Sequence, residues 1–215
     1  MIFNDRCDAG RQVAAKLERY RGERPVILAL PRGGVPVASE VAQALDAPLD
    51  ILPARKLGVP GAEEVAMGAL SNGGLVVDRE LMDRLGLGAE TLRRIVAREQ
   101  AEMARQERAF RRGRPPIDVT GRTVILIDDG LATGATACAA VKALRTRNPR
   151  RIVFAAPVCA PEGADLLRTI ADDVVCVECP PDFRAVGLWY RDFTPVSDAE
   201  VVDRLEAALP GRVPA

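Results

Sequence analysis

Short apolar runs alternate with segments of helical spacing along most of this 215-residue chain. The apolar runs have the composition of buried strands, and they are RPVILAL, LDILPARKL, RTVILIDD, RRIVFAAPV and DDVVCVEC. Helix-patterned segments such as VPVASEVAQALD and GATACAAVKALRTRN separate them. Apolar strands joined by helices are typical of a parallel sheet that is covered on both faces. The sequence therefore predicts an α/β fold built on one parallel sheet.

Two segments interrupt this alternation. Residues 55–80 are rich in glycine and predict a long mobile loop, with a hairpin around residues 72–74. Residues 89–112 predict a long charged helix with a one-sided apolar stripe. The stripe consists of Leu92, Val96, Met103 and Phe110. The basic end of this helix has glutamates interleaved upstream, which favours a solvated helix face over a nucleic-acid patch.

Composition narrows the possible partners and chemistry. Lysine plus arginine and aspartate plus glutamate each total 30, so no net charge draws the chain to nucleic acid or a membrane surface. The chain has no histidine, which excludes Ser/His/Asp and Cys/His catalysis and imidazole zinc sites. Its apolar runs are too short to span a bilayer, and its first residues lack a signal-peptide core. We therefore expect a cytoplasmic protein with no nucleic-acid or membrane partner.

Two of the five cysteines, Cys176 and Cys179, form an isolated C-x-x-C pattern. In a strand their odd separation directs them to opposite faces, and no second pair or histidine completes a metal site. We expect the cysteines to be small buried hydrophobic residues rather than a zinc or redox centre.

The stretch VILIDDGLATGAT, residues 124–136, ends an apolar strand with two acids and a turn of glycine and threonine. Gly130 and Gly134 allow a tight turn into a helix, whose N-terminal amides suit a phosphate group. The carboxylates of Asp128 and Asp129 accept hydrogen bonds, which suits vicinal sugar hydroxyls. The motif thus favours a sugar phosphate such as ribose 5-phosphate. The alternative is an acid pair that only caps the following helix.

The same stretch resembles the phosphoribosyl pyrophosphate loop of the type I phosphoribosyltransferases, and LALPRGG is similar to their pyrophosphate loop. The resemblance implies a sheet of about five strands flanked by helices within one domain, residues 1–215. The core would span about 24–180, with a mobile loop and helix insertion at about 56–118. A small hood would combine residues 181–215 with an N-terminal helix at 5–21. In this family a nitrogen, usually of a nucleobase, attacks phosphoribosyl pyrophosphate and expels pyrophosphate with Mg²⁺.

The resemblance also assigns roles to individual residues. Asp128 and Asp129 would bind the ribose hydroxyls, and Mg²⁺ mostly indirectly, through those hydroxyls or water. Arg32, Gly33 and Gly34 would bind pyrophosphate, with a cis peptide between Pro31 and Arg32. The residues that would clamp the 5-phosphate are Ala132, Thr133, Gly134, Ala135 and Thr136, and the preceding Gly130 and Leu131 would also bind the substrate.

Further residues have two competing interpretations. Arg55 and Lys56 are expected to neutralise the leaving group, or else are solvated charges at a strand end. Trp189 belongs to a cluster of aromatic residues that corresponds to the family's base-stacking region, or else forms a minor core. The other members of this cluster are Phe183, Tyr190 and Phe193.

The acceptor remains open at the level of sequence. Ala132 stands where hypoxanthine-guanine members carry an aspartate thought to act as base, so we expect adenine, a pyrimidine or an amine instead. Glu63 and Glu64 on the predicted loop are the nearest substitute bases, but solvated surface charges are the favoured interpretation of both. The chain is most similar to a subgroup of predicted phosphoribosyltransferases without an assigned acceptor, and a homo-oligomer is expected.

Two other functional classes compete with a transferase. One is a regulator that binds a nucleotide or phosphoribosyl pyrophosphate without catalysis, and the other is a phosphoribosyl pyrophosphate hydrolase or an unrelated sugar-phosphate enzyme. A regulator can dispense with the pyrophosphate loop and the basic segment, whereas a transferase needs both. Since the chain has both, a transferase is favoured.

Overall fold

A computed structural model describes residues 2–71 and 74–209, except for the side chains of Glu63 and Glu64. The helices are α1 Arg6–Leu17, α2 Gly34–Leu45, α3 Arg79–Arg84, α4 Ala89–Arg111, α5 Ala135–Arg145, α6 Pro161–Arg168 and α7 Asp198–Ala207. The strands are β1 Val26–Ala29, β2 Leu49–Ile51, β3 Ala54–Val59, β4 Ala62–Ser71, β5 Gly74–Val77, β6 Thr123–Ile127, β7 Arg151–Val158 and β8 Asp173–Glu178. No described helix is both long enough and apolar enough to span a membrane.

Five strands form a parallel sheet in the order β2-β1-β6-β7-β8, which confirms the predicted α/β fold. Successive residues of each strand face opposite layers. On β6, Ile125 and Ile127 pack against α1, α2 and α7, whereas Val124 and Leu126 pack against α5 and α6. Both faces of the sheet are therefore covered, as the continuously apolar strands predicted.

The second predicted strand, LDILPARKL, was wrong as a single element. β2 ends at Ile51 in the parallel sheet, while β3 begins at Ala54 in a separate sheet. Between them lies Pro53, which has no N–H to donate to a strand partner and so favours a break between the two strands. Arg55 and Lys56 consequently belong to the second sheet.

The long loop predicted at residues 55–80 is also wrong, because most of this segment forms the three-stranded antiparallel sheet β3-β4-β5. Its glycines accommodate irregular pairing, since the β3–β4 register shifts on either side of Gly58. Leu57, Met67 and Leu70 form a small core with residues from α3 and α4. Residues 72 and 73 of the predicted hairpin lie outside the described residues, and the mobility of the segment stays a prediction.

The long helix and its apolar stripe are confirmed. Met103 and Phe110 of α4 are buried, while Leu92 and Val96 are partly buried against the small core of the antiparallel sheet. Phe110 instead joins the core under the parallel sheet. Helix α4 thus connects the two sheets.

Phe3, near the start of the chain, pairs with the segment at Trp189 and Tyr190. The amide of Phe3 donates to the carbonyl of Trp189 at 2.8 Å, and Phe3 forms a bridge with Tyr190. Phe3 and Tyr190 are buried with Ala9 and Val158.

The expectation that the cysteines are only small buried hydrophobic residues is wrong for Cys176 and Cys179. Cys176 is disulfide-bonded to Cys159, and Cys179 is exposed. The pairing is possible because β7 and β8 are adjacent, which places the two Cα atoms 6.1 Å apart.

Candidate active site

Two glycine-containing turns lie at the carboxyl ends of the neighbouring strands β1 and β6. The first turn, residues 30–34, is joined to β6 by a hydrogen bond from the Leu30 amide to the Ile127 carbonyl. The peptide between Pro31 and Arg32 is cis, which confirms that prediction. Ligands of parallel sheets bind beyond this end of the strands, so the two turns define the candidate site.

The turns touch each other at Gly33 and Asp129. A Cβ atom placed on Gly33 would lie 2.0 Å from Asp129 Oδ2. A Cβ atom on Gly34 would lie 2.6 Å from the carbonyl oxygen of Ile127. Since no side chain fits at these distances, glycine is required at both positions for the two turns to pack together.

The two adjacent acids differ in their surroundings. Burial raises the pKa of the Asp128 carboxyl well above its usual range, and the charge of Asp129 adds to this shift. Burial also raises the pKa of Asp129, but the Arg6 guanidinium opposes that shift. The side chain of Asp129 is 15% exposed. Both acids are therefore half-buried rather than fully solvated, which is unusual for carboxylates that serve only as helix caps.

Arg6 and Tyr190 hold Asp129 in place, and neither was assigned this contact from the sequence. Arg6 Nε donates to Asp129 Oδ2 at 2.8 Å, although the two residues are 123 positions apart. The Tyr190 hydroxyl donates to the Asp129 carbonyl oxygen at 2.6 Å. Burial raises the pKa of the Tyr190 hydroxyl, which keeps it a donor. The aromatic cluster was the only sequence signal for Tyr190, and nothing in the local pattern identified Arg6.

The second turn leads into α5, whose N-terminus has no side-chain cap among the described residues. Gly134 has a φ of 80°, a conformation that favours glycine. Ala132 and Thr133 are exposed, and Ala135 and Thr136 are half-buried. The amides at a helix N-terminus attract anions, so this turn has the properties of a phosphate site.

The back of this turn is packed against neighbouring elements. The Leu131 amide donates to Val158 at 2.8 Å, and the Ala160 amide donates to Leu131 at 2.7 Å. A Cβ on Gly163 of α6 would lie 2.1 Å from the Ala132 carbonyl oxygen, while one on Gly130 would lie 2.3 Å from Val186. The turn is thus fixed by its neighbours, while Ala132 and Thr133 stay exposed.

The predicted pyrophosphate cations Arg32 and Arg55 are each paired with an acidic side chain. Arg32 lies 3.4 Å from Asp198 of α7, and Arg55 Nε donates to Glu99 of α4 at 2.9 Å. A hydrogen bond from Arg105 lowers the pKa of Glu102, and the charges of Arg55 and Arg32 contribute to this shift. Arg32 and Arg55 therefore both lie near the same acidic surface of α4. Lys56 follows Arg55 on β3 and is partly buried.

Trp189 packs against a small buried cluster near the N-terminus. It is partly buried against the cluster of Phe3, Ala9, Val158 and Tyr190. Phe193 is 36% exposed, and its ring lies beneath the Arg6 guanidinium at 4.0 Å. Stacking of an acceptor on Trp189 stays a prediction.

The site has oxygen ligands that suit Mg²⁺, but it has few of them. Carboxylate oxygens such as those of Asp128 and Asp129 are hard ligands of the kind that Mg²⁺ prefers. Within residues 2–71 and 74–209, no group of three or more acidic, histidine or cysteine side chains could hold a metal ion. Asp129 Oδ2 is already bonded to Arg6. The residues thus fit an ion that keeps water and substrate oxygens as most of its ligands.

Comparisons with known proteins agree with this geometry. A family model described as "Phosphoribosyl transferase domain" matches residues 3–191. Two Mycobacterium tuberculosis proteins, from strains CDC 1551 and H37Rv, are each named "Putative phosphoribosyl transferase". Both are 44% identical over 208 residues, which cover 96% of this chain and 47% of theirs. The chain thus spans about half the length of these curated relatives.

A solved structure is similar along nearly the whole chain. The crystal structure of TT1426 from Thermus thermophilus has 41% sequence identity and a TM-score of 0.81, covering 95% of this chain and 98% of that one. A shorter match, 39% identical over 59 residues, is to the uracil phosphoribosyltransferase of Staphylococcus haemolyticus, with 27% of this chain and 28% of that one covered. The chain belongs to the type I phosphoribosyltransferase family.

Proposed function

We propose that this protein transfers ribose 5-phosphate from phosphoribosyl pyrophosphate to a nitrogen acceptor and releases pyrophosphate. The observation that carries the proposal is the contact of Gly33 with Asp129, which joins the predicted pyrophosphate turn to the acid pair. A substrate with phosphate groups at both ends of a ribose needs two anion sites with hydroxyl acceptors between them. The turn after β1 would supply one anion site, and the turn after β6 would supply the acid pair and the second anion site.

The 5-phosphate would bind at the N-terminus of α5. The amides of residues 133–136 and the hydroxyls of Thr133 and Thr136 would donate to its oxygens. Among the described residues, this end of α5 has no side-chain cap that a phosphate would have to displace. The acid pair lies upstream on the same turn, which keeps its negative charge away from the phosphate.

Asp128 and Asp129 would accept hydrogen bonds from the two ribose hydroxyls. As the bond to pyrophosphate breaks, the ribose ring gains positive charge, and hydroxyl contacts to carboxylates strengthen. Because both acids are half-buried, these contacts would act in a medium that screens charge less than water does. The acid pair would thereby stabilise the transition state more than the bound substrate.

Arg32 and Arg55 would neutralise the leaving pyrophosphate. In the structure Arg32 is paired with Asp198, and Arg55 is paired with Glu99. Pyrophosphate oxygens would replace these two carboxylates as partners of the arginines. Mg²⁺, when bound with the substrate, supplies charge neutralisation for the departing phosphate oxygens. Asp128 and Asp129 are the residues that would hold this ion, mainly through water or the ribose hydroxyls.

A product analysis tests the proposal and separates the competing classes. The protein would be incubated with phosphoribosyl pyrophosphate, Mg²⁺ and single acceptors: uracil, adenine, hypoxanthine, guanine, orotate, ammonia or a primary amine. Uracil comes first because of the short match to a uracil phosphoribosyltransferase. A ribosylated acceptor phosphate formed together with pyrophosphate supports transfer. Ribose 5-phosphate formed without acceptor would indicate a hydrolase, and binding without turnover would indicate a regulator.

A further inference from the structure

Arg6, at the start of α1, lies in the candidate site although it belongs to no recognised motif. We propose that Arg6 is a positioning residue, which orients the Asp129 carboxylate for the ribose of phosphoribosyl pyrophosphate. The proposal rests on the proposed function, since it assumes that Asp129 accepts a ribose hydroxyl. It adds a residue from the N-terminal helix to a site otherwise formed by the two turns.

The guanidinium of Arg6 is held by three separate contacts. Nε donates to Asp129 Oδ2 at 2.8 Å, and Nη1 donates to the Thr194 carbonyl at 2.9 Å. Its central carbon lies 4.0 Å from the ring centre of Phe193. The side chain of Arg6 is only 11% exposed. A guanidinium fixed in this way presents its N–H group to Asp129 from one defined direction.

Asp129 is confined from other sides as well. Its Oδ2 lies against Gly33, and its carbonyl oxygen accepts the Tyr190 hydroxyl. Rotation of the carboxylate would break the bond to Arg6 or bring an oxygen closer to the Gly33 backbone. The carboxylate therefore meets a ligand in one preset orientation, which lowers the ordering cost of binding.

Arg6 also places a positive charge beside two acids that must receive a substrate with several phosphate charges. Like charges at the acid pair and on the substrate repel each other in an enclosed site. The guanidinium, which is bonded to Asp129, offsets part of this repulsion. Loss of Arg6 would release the Asp129 carboxylate from its preset orientation and would remove a positive charge beside the acid pair. Both changes predict weaker substrate binding.

Helix α1 offers a matched control. Arg11, further along the same helix, lies 3.6 Å from Glu40 and is 61% exposed. Arg11→Gln removes the same charge from the same helix without touching the candidate site. A general effect of charge or of helix packing would appear in both variants, whereas positioning of Asp129 would appear only in Arg6 variants.

The test is calorimetric titration of phosphoribosyl pyrophosphate with Mg²⁺ into the wild type, Arg6→Gln, Arg6→Lys and Arg11→Gln. We expect Arg6→Gln to weaken binding by at least about 10-fold, since it removes a charged hydrogen bond. Arg6→Lys should lie between Arg6→Gln and the wild type, because an ammonium keeps the charge but loses the fork geometry. Arg11→Gln should change binding less than about 2-fold.

A double-mutant cycle separates positioning from a merely structural contact. Asp129→Asn keeps Asp128 and the phosphate turn, so it should retain measurable binding. Adding Arg6→Gln to Asp129→Asn should cost less than about 2-fold, because the group that Arg6 orients is already altered. An equal loss in both backgrounds would overturn the proposal, and so would unchanged or tighter binding by Arg6→Gln. If Arg6→Gln fails to fold, Arg6→Lys takes its place in the same cycle.

The proposed function is tested separately by the wild type in the same titration. Binding by the wild type with no change in Arg6→Gln would overturn only the role of Arg6. Absence of binding by the wild type would contradict the proposed function and the role of Arg6 together.

Discussion

Gly33 and Asp129 occupy positions so close that a Cβ on residue 33 would stand 2.0 Å from the carboxylate oxygen Oδ2. The turn after β1 and the turn after β6 are therefore built against each other, with no room for a side chain between them. This contact unites the cis peptide at Pro31–Arg32, the acid pair and Arg6 in one site.

Gly33→Ala should reduce phosphoribosyl transfer by at least about 100-fold, because Asp129 or the pyrophosphate turn must move to make room. The measurement is pyrophosphate release under saturating Mg²⁺. Gly22→Ala is the control, since a Cβ there meets nothing within 4 Å. Similar loss in both variants would show that the Gly33 contact has no special importance.

Arg55→Gln should raise the KM for phosphoribosyl pyrophosphate by about 10-fold, because a charged hydrogen bond to the pyrophosphate would be lost. Arg98→Gln is a matched control, as Arg98 binds the same Glu99 carboxylate but is 68% exposed rather than 35%. It should leave KM within about 2-fold of the wild type. If the two variants behave alike, Arg55 only anchors β3 to α4.

Arg111→Gln should lower the free energy of unfolding by about 3 kcal/mol, because it leaves the buried Asp50 charge without its cation. Arg111 Nε donates to Asp50 at 3.0 Å, and both residues are buried. Arg112→Gln, which removes an exposed ion pair with Glu206, should cost less than about 1 kcal/mol. Urea denaturation of both variants checks the difference, and equal costs would contradict it.

The sequence predicted the parallel sheet and both turns because they depend on local patterns. Apolar strands, the Gly33–Gly34 pair and the acid pair are each recognisable within a few residues. The antiparallel sheet was not predicted, because glycines in β3 and β4 conceal the alternation of apolar residues that marks a strand. The stretch LDILPARKL was interpreted as one strand because apolar residues continue on both sides of Pro53, although the two halves belong to different sheets.

The contact of Arg6 with Asp129 is not visible in the sequence for a different reason. It bridges 123 positions, and it exists only because the fold brings the start of α1 to the turn that follows β6. Disulfide formation between Cys159 and Cys176 likewise depends on the order of β7 and β8 in the sheet. Contacts of this kind require the tertiary fold before they can be recognised.

Hypoxanthine and guanine should be weak acceptors or none, with kcat/KM at least about 100-fold below that of the best acceptor. The methyl group of Ala132 cannot remove a proton from a purine nitrogen, and this position is exposed at the predicted acceptor side of the turn. The side chains of Glu63 and Glu64, the alternative bases, lie outside the described residues. Product assays with each purine check this, and efficient formation of inosine or guanosine monophosphate would contradict it.

Pyrophosphate release by the Asp128→Asn/Asp129→Asn double variant, measured beside the wild type with its best acceptor, tests the role of the acid pair most directly. The variant should lose at least about 100-fold in rate, since the carboxylate charge at the reacting ribose is gone. Its circular dichroism spectrum should match that of the wild type. Normal turnover by the variant would contradict the proposed site and leave the two acids as structural residues of the turn.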